Sequence, residues 1–170
     1  MTRLLGIDLG ERRVGVAVSD PAGLAARPLL TFRRGTLDED AAVLRRLAAE
    51  QRAVTLVIGL PLALRGEEGP QADRTRAWGF AMGERTGLAV RWRDERLTTV
   101  AAQAALGPVP RRPGSSAPTR VAVLRRRGRL DREAAARILQ AELDAPPAAA
   151  VPAAAVPPAA RDDTPEHDGA

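Results

Sequence analysis

Two apolar runs of strand length, Leu4–Leu9 and Val14–Ser19, stand on either side of Gly10 and the charged turn Glu11–Arg13. So short a spacing leaves them only an antiparallel hairpin, because a parallel partner needs a crossover of about a dozen residues or more. Every later element must be laid against that hairpin. Its first run also carries one carboxylate, Asp8, inside "GIDLG". A lone Asp within a strand is a poor choice for stability and asks for a partner to hold.

The segment Ala26–Phe32 predicts a third strand that extends the meander. "TLDEDAAVLRRLAAEQ" opens with the capping-box pair Thr36 and Glu39 and sets Val43, Leu44 and Leu47 on one face, which predicts a helix. "AVTLVIGLP" is wholly apolar, as a parallel strand buried on both faces would be, and Gly59 and Pro61 end it before the polar loop "LRGEEG". Pro70 suits the first position of a second helix running to about Thr86, with Gly87 as its stop. "LAVRWRDE" predicts a strand, "TTVAAQAAL" a short helix capped by Thr98 or Thr99, and "GPVPRRPGSSAP" a loop. "TRVAVLRRRGR" predicts a basic helical turn or two, and "LDREAAARILQAELDA" a final amphipathic helix beginning at Asp131.

The order β-β-β-α-β-α-β-α-α predicts an α/β fold, a mixed five-stranded sheet flanked by helices. Asp8 would then lie near the carboxyl edge of the sheet, where open α/β sheets place their sites. From Pro146 onward the text is "PPAAAVPAAAVPPAARDDTPEHDGA", which has no apolar periodicity and no apolar residue larger than Val. Residues 146–170 therefore read as a disordered Ala/Pro-rich tail, and residues 1–145 as one domain burying roughly 70% of its unfolded surface. No apolar stretch approaches the ~20 residues of a membrane span, and no signal peptide precedes the first strand, so a cytoplasmic protein with no membrane partner is expected.

The formal net charge is +5, and it is unevenly spread. The tail carries one Arg and four acids, which leaves 25 Arg against 17 acids in residues 1–145. Every basic side chain is Arg, and Arg donates paired hydrogen bonds to phosphate, so a polyanionic partner is expected. There is no Cys and no Tyr, and His167, the single His, falls in the tail. Those absences exclude a thiol nucleophile, a disulfide framework and a tyrosine-linked strand transfer. Any hydrolysis must rest on carboxylates, metal ions and Arg. Aromatics make up 2% of the chain; Trp78 and Phe80 are expected in a helix core and Trp92 in sheet packing. Recognition of backbone and shape should therefore dominate over base reading.

Acids at element ends are Asp8, then Asp94 and Glu95, then Asp131. Two Mg²⁺ or Mn²⁺ ions roughly 4 Å apart, flanked by carboxylates, would let such a set hydrolyse a phosphodiester without His or Cys. Taken singly, each acid also has a plain structural reading. Asp8 could bond turn amides, Glu95 could pair with Arg96, and Asp131 could cap a helix. In strand geometry Asp94 and Glu95 face opposite sides, and the residues alone leave that choice open.

"GIDLGERRVGVAVSD", "VIGLPLALRGEEG", "DERLTT" and "LDREAAARILQAELD", in this order and spacing, resemble the YqgF family over nearly all of residues 3–144. These are the pre-16S ribosomal RNA nucleases, also called Holliday-junction-resolvase-like proteins, of the ribonuclease H fold. The resemblance implies a metal-holding catalytic site of Asp8, Glu95 and Asp131, with Glu95 favoured over Asp94. It implies a metal-dependent nuclease, expected to mature the 5′ end of precursor 16S ribosomal RNA. The alternatives are a nuclease of Holliday junctions or other branched DNA, or a non-catalytic nucleic-acid-binding module. Arg12 and Arg13 match the family's basic pair and are expected to contact phosphate, together with Arg96, Thr98 and Thr99. Arg125, Arg126 and Arg127, within a wider basic group, are expected to grip the nucleic acid. The approach to Asp131 is longer than the family's usual Lys-rich one and uses Arg only. Asp131, in a first helical turn, would be kept ionised by the helix dipole. The expected partner is structured RNA or branched DNA, and the expected state a monomer or homodimer.

Overall fold

The computed structural model describes residues 2–61, 69–94 and 120–145, the side chains of residues 120–126 excepted. The expected helix after Thr98, the loop through residues 107–118 and the tail at 146–170 lie outside the described residues.

The elements run β1 (Arg3–Leu9), β2 (Arg13–Ser19), β3 (Ala26–Arg33), α1 (Leu37–Gln51), β4 (Ala53–Leu60), α2 (Pro70–Thr86), β5 (Ala89–Asp94) and α3 (Arg120–Leu143). They build a five-stranded sheet of order β3-β2-β1-β4-β5. Among the described strands β2 alone runs against the others, since β1 pairs antiparallel with β2 and parallel with β4, and β4 pairs parallel with β5. This is the mixed five-stranded sheet flanked by helices that the order of elements predicts.

Alternation along the strands gives the sheet two unlike faces. Leu5, Ile7 and Leu9 of β1, Val14, Val16 and Val18 of β2, and Leu56 and Ile58 of β4 are buried together under α1 and α2. Each such side chain contributes about 1.5–3 kcal/mol when fully buried. The other face is lined by small residues: Gly6 of β1, Gly15 and Ala17 of β2, and Val57 of β4. Among the described elements, α3 covers it through Ala135, Ile138 and Leu139.

The helix ends follow the sequence signals. The side chain of Thr36 accepts from the Glu39 amide and Glu39 accepts from the Thr36 amide, so the capping box is complete. Pro70 opens α2, and Gly87 closes it with φ 72°, a left-handed conformation open to glycine at little cost. Buried Asp40 joins the two helices, accepting 3.0 Å from the Trp78 indole N–H and 2.9 Å from the Gly35 amide. Trp78 is core, as expected. Phe80 is not: it is 40% exposed and meets Trp92 edge-on with ring centroids 5.5 Å apart. Its position two residues after Trp78 turns it away from the face that packs on α1.

The largest departure from the sequence reading is at the C-terminal end. The basic segment and the amphipathic segment form one helix, and Asp131 lies eleven residues inside it rather than at its start. Asp131 is therefore neither an N-cap nor a first-turn residue, and the dipole argument does not apply to it. "RRRGR" continues helically through Gly128 because that glycine docks on the sheet: the Thr31 hydroxyl donates to its carbonyl at 2.6 Å.

Candidate active site

Asp8 stands one residue before the end of β1, on the small-residue face with Gly6. Its cross-strand neighbour is Gly15. Both glycines are places where a helix backbone touches the sheet. A Cβ on Gly6 would fall 2.6 Å from the Ala135 carbonyl oxygen and 2.6 Å from the Leu139 Cβ. One on Gly15 would overlap the Asp131 carbonyl. The helix crosses the sheet obliquely, with Gly128 over β3, Asp131 over β2, Ala135 over β1 and Glu142 reaching β5. Two strand glycines thus seat Asp131 beside Asp8, from 123 residues away in the chain.

The charges there are not balanced evenly. Arg13, at the start of β2, donates from Nε to Oδ2 of Asp131 at 2.6 Å, with both side chains under a third exposed. This is a short, charge-assisted bond. Asp8 has no hydrogen-bond or ion-pair partner among the described residues. Burial, and secondly the negative charge of Asp131, push its carboxyl up from an ordinary 3.8 to about 6. A cation beside it would favour the ionised form. The donors are hard oxygens with no His or Cys beside them, a set that suits Mg²⁺ or Mn²⁺ rather than zinc. Among the described residues no three His, Cys, Asp or Glu side chains come together as a metal cluster; of the three expected ligands, Asp8 and Asp131 are the two that the described residues include.

The remaining expected residues divide into three groups. Glu95, Arg96, Thr98 and Thr99 lie outside the described residues, as do the side chains of Arg125 and Arg126. Asp94 closes β5 opposite Leu60, whereas Arg91 and Arg93 pair with Val57 and Gly59 and reach Glu142 of α3. Alternation therefore puts Asp94 on the α1/α2 side, away from Asp8. Arg12 and Arg127 are exposed, and Arg13 is engaged by Asp131. Sequence reasoning missed Gly6 and Gly15. Their signal was present, as small residues alternating with Leu, Ile and Val in "LLGIDL" and "RVGVAVS".

Residues 2–145 match a family model described as RuvX, Holliday junction resolvase. A curated protein of Cereibacter sphaeroides, named "Putative pre-16S rRNA nuclease", is 52% identical over 103 residues, 61% of this chain and 64% of that protein. The chain thus spans just under two thirds of that relative's length. A protein of the same name from Myxococcus xanthus is 41% identical over 143 residues, 84% of this chain and 88% of that one. Among solved structures, T. thermophilus RuvC in complex with a Holliday junction substrate superposes with TM-score 0.49 at 15% identity, covering 84% of this chain and 94% of RuvC.

Proposed function

The chain belongs to the RuvX (YqgF) family, and from that membership we propose that it is a metal-dependent nuclease that trims the 5′ end of precursor 16S ribosomal RNA. The observation that carries this reading is the pairing of Asp8 with Asp131 at the carboxyl edge of the central strand. Asp8 has no hydrogen-bond or ion-pair partner among the described residues there, and its carboxyl is raised to about 6. The names of the curated relatives support RNA as the substrate.

Asp8 and Asp131 would hold Mg²⁺ or Mn²⁺, with Glu95, the acid that the family motif favours, completing a two-ion site; Asp94 lies on the α1/α2 side of the sheet. When bound, such ions supply activation of water and positive charge against the phosphate. The chain's own residues do the rest. Oblique seating of α3 on Gly6 and Gly15 fixes the distance between the two carboxylates. Arg13 orients Asp131 and limits the repulsion between the acids. Arg12, exposed in the turn after Asp8, meets a backbone phosphate, with Arg96, Thr98, Thr99, Arg125, Arg126 and Arg127 extending that contact. Residues 1–145 form the nuclease domain, and residues 146–170 a tail outside it. An RNA substrate of this kind places the protein in the cytoplasm, as a monomer or homodimer. No helix among the described residues is long and apolar enough to cross a membrane.

The second reading is cleavage of Holliday junctions, supported by the family description. A single experiment separates the two. The full chain is incubated with a precursor 16S 5′ fragment and with a four-way junction, under equal protein and Mn²⁺. Cutting of the RNA by wild type and not by Asp8→Asn, with binding retained, is expected. Preferential cutting of the junction would overturn the RNA assignment, and equal cleavage by Asp8→Asn would overturn the site.

A further inference from the structure

Most described arginines are engaged. Arg13 holds Asp131, Arg85 holds Asp38, Arg129 holds Glu133, and Arg91 and Arg93 share Glu142. The last two pairs neutralise the β5 side of α3. On the opposite side, three exposed arginines have no side-chain partner among the described residues: Arg12, Arg33 and Arg127.

They stand on three elements that are tied to one another beside Asp8. Arg33 is the cross-strand neighbour of Arg13 in the β2–β3 register. The Arg34 amide donates to the Arg12 carbonyl at 3.1 Å, and its guanidinium to the Gly10 carbonyl at 3.3 Å. The end of β3 is thereby pinned to the turn that follows Asp8. The Thr31–Gly128 hydrogen bond brings α3 down on the same strand, and Arg127 immediately precedes Gly128. Exposed guanidinium groups that make no ion pair among the described residues are free to meet a polyanion.

We propose that nucleic acid bound at the Asp8–Asp131 centre leaves it across the β3 edge, its phosphates held by Arg12, Arg33 and Arg127. This rests on the nuclease reading, and it gives that reading a direction: from the centre the strand runs out past the end of β3 and Arg127 of α3. Neither Arg12, Arg33, Arg127 nor the residues tying them together include an aromatic. The Phe80–Trp92 pair, with Arg76 5.3 Å over the Trp92 ring, belongs to the other face of the sheet. Contact along β3 is therefore with backbone, not bases, and is insensitive to sequence.

The test compares two double variants of the full chain with equal change in net charge: Arg12→Glu/Arg33→Glu, and Arg74→Glu/Arg137→Glu, whose arginines are exposed and unpartnered elsewhere. Binding of a labelled precursor 16S 5′ fragment is measured with metal chelated, across a series of salt concentrations. The β3-edge pair should lose at least about tenfold in affinity, and its salt slope should shrink by about 0.7–0.9 per lost phosphate contact. The control pair should keep the wild-type slope. Equal losses in both pairs, or none in the first, would overturn the path. Melting curves, and the milder Arg12→Gln/Arg33→Gln variant, keep a folding defect from passing as a binding defect. Because no cleavage is read, loss of the nuclease assignment would leave this result standing, and an active enzyme indifferent to these arginines would sink the path alone.

Discussion

Gly15 lies against the backbone of Asp131: a Cβ on it would overlap the Asp131 carbonyl and sit 2.9 Å from the Arg132 amide nitrogen. The spacing of the two site carboxylates is therefore set by a residue that carries no side chain.

Gly15→Ala should force α3 off the sheet. In a strand, Ala would otherwise gain roughly 0.5–1 kcal/mol over Gly, but overpacking costs about 1–3 kcal/mol. A net loss of about 1–2 kcal/mol is expected in urea melts. Cleavage should fall more than the folded fraction does, because Asp131 moves away from Asp8. Wild-type cleavage by a variant of wild-type stability would show that the contact is slack.

Arg13→Gln removes the counter-charge from Asp131 and leaves two acids facing each other. Without metal, the variant should lose about 1 kcal/mol, the value of a partly exposed charge-assisted bond after solvent screening. Mn²⁺ should then raise its melting temperature more than it raises that of wild type, since the ion meets less positive charge. Equal Mn²⁺-induced shifts would show that Arg13 and the ion do not share Asp131.

The raised carboxyl of Asp8 makes metal-free stability depend on pH with an unusual sign for an Asp. Between about pH 4 and about 6 the native state keeps a proton that the unfolded chain has released. Stability from this group is therefore full below about pH 4 and is lost as pH rises through about 6. Asp8→Asn should match wild type near pH 4 and exceed it near pH 7 by on the order of 3 kcal/mol. Chemical melts of both proteins in chelator check this; a difference constant across pH would contradict it.

Removal of residues 146–170 should leave melting temperature and cleavage unchanged, because that composition offers no apolar side chain larger than Val to pack. A drop of several degrees in calorimetry would show that the tail joins the domain.

Much of this was legible in the chain. The Leu4–Ser19 hairpin, the Thr36–Glu39 capping box, Pro70 and Gly87 are local signals with local causes, and they stand where the text puts them. Asp8 was legible as a polar residue in an apolar strand. What failed was non-local. Asp131 reads as the start of a helix because the basic segment before it reads as a separate turn or two, yet contact with Thr31 at Gly128 keeps the two segments in one helix. The Arg13–Asp131 bond joins residues 118 apart, and no spacing rule reports it. Phe80 was misjudged for the reverse reason: apolar character marks a core residue only where a neighbouring element covers it, and here Trp92 covers one edge alone.

The central claim is that Asp8 and Asp131 share a divalent cation. Crystals of the full chain soaked in Mn²⁺ and recorded at the manganese absorption edge test it directly. An anomalous peak about 2.0–2.6 Å from a carboxylate oxygen of each residue is predicted, with the Arg13 guanidinium shifted from its 2.6 Å contact on Asp131. No peak between them in crystals that still cleave RNA, with the Arg13–Asp131 bond intact, would contradict it.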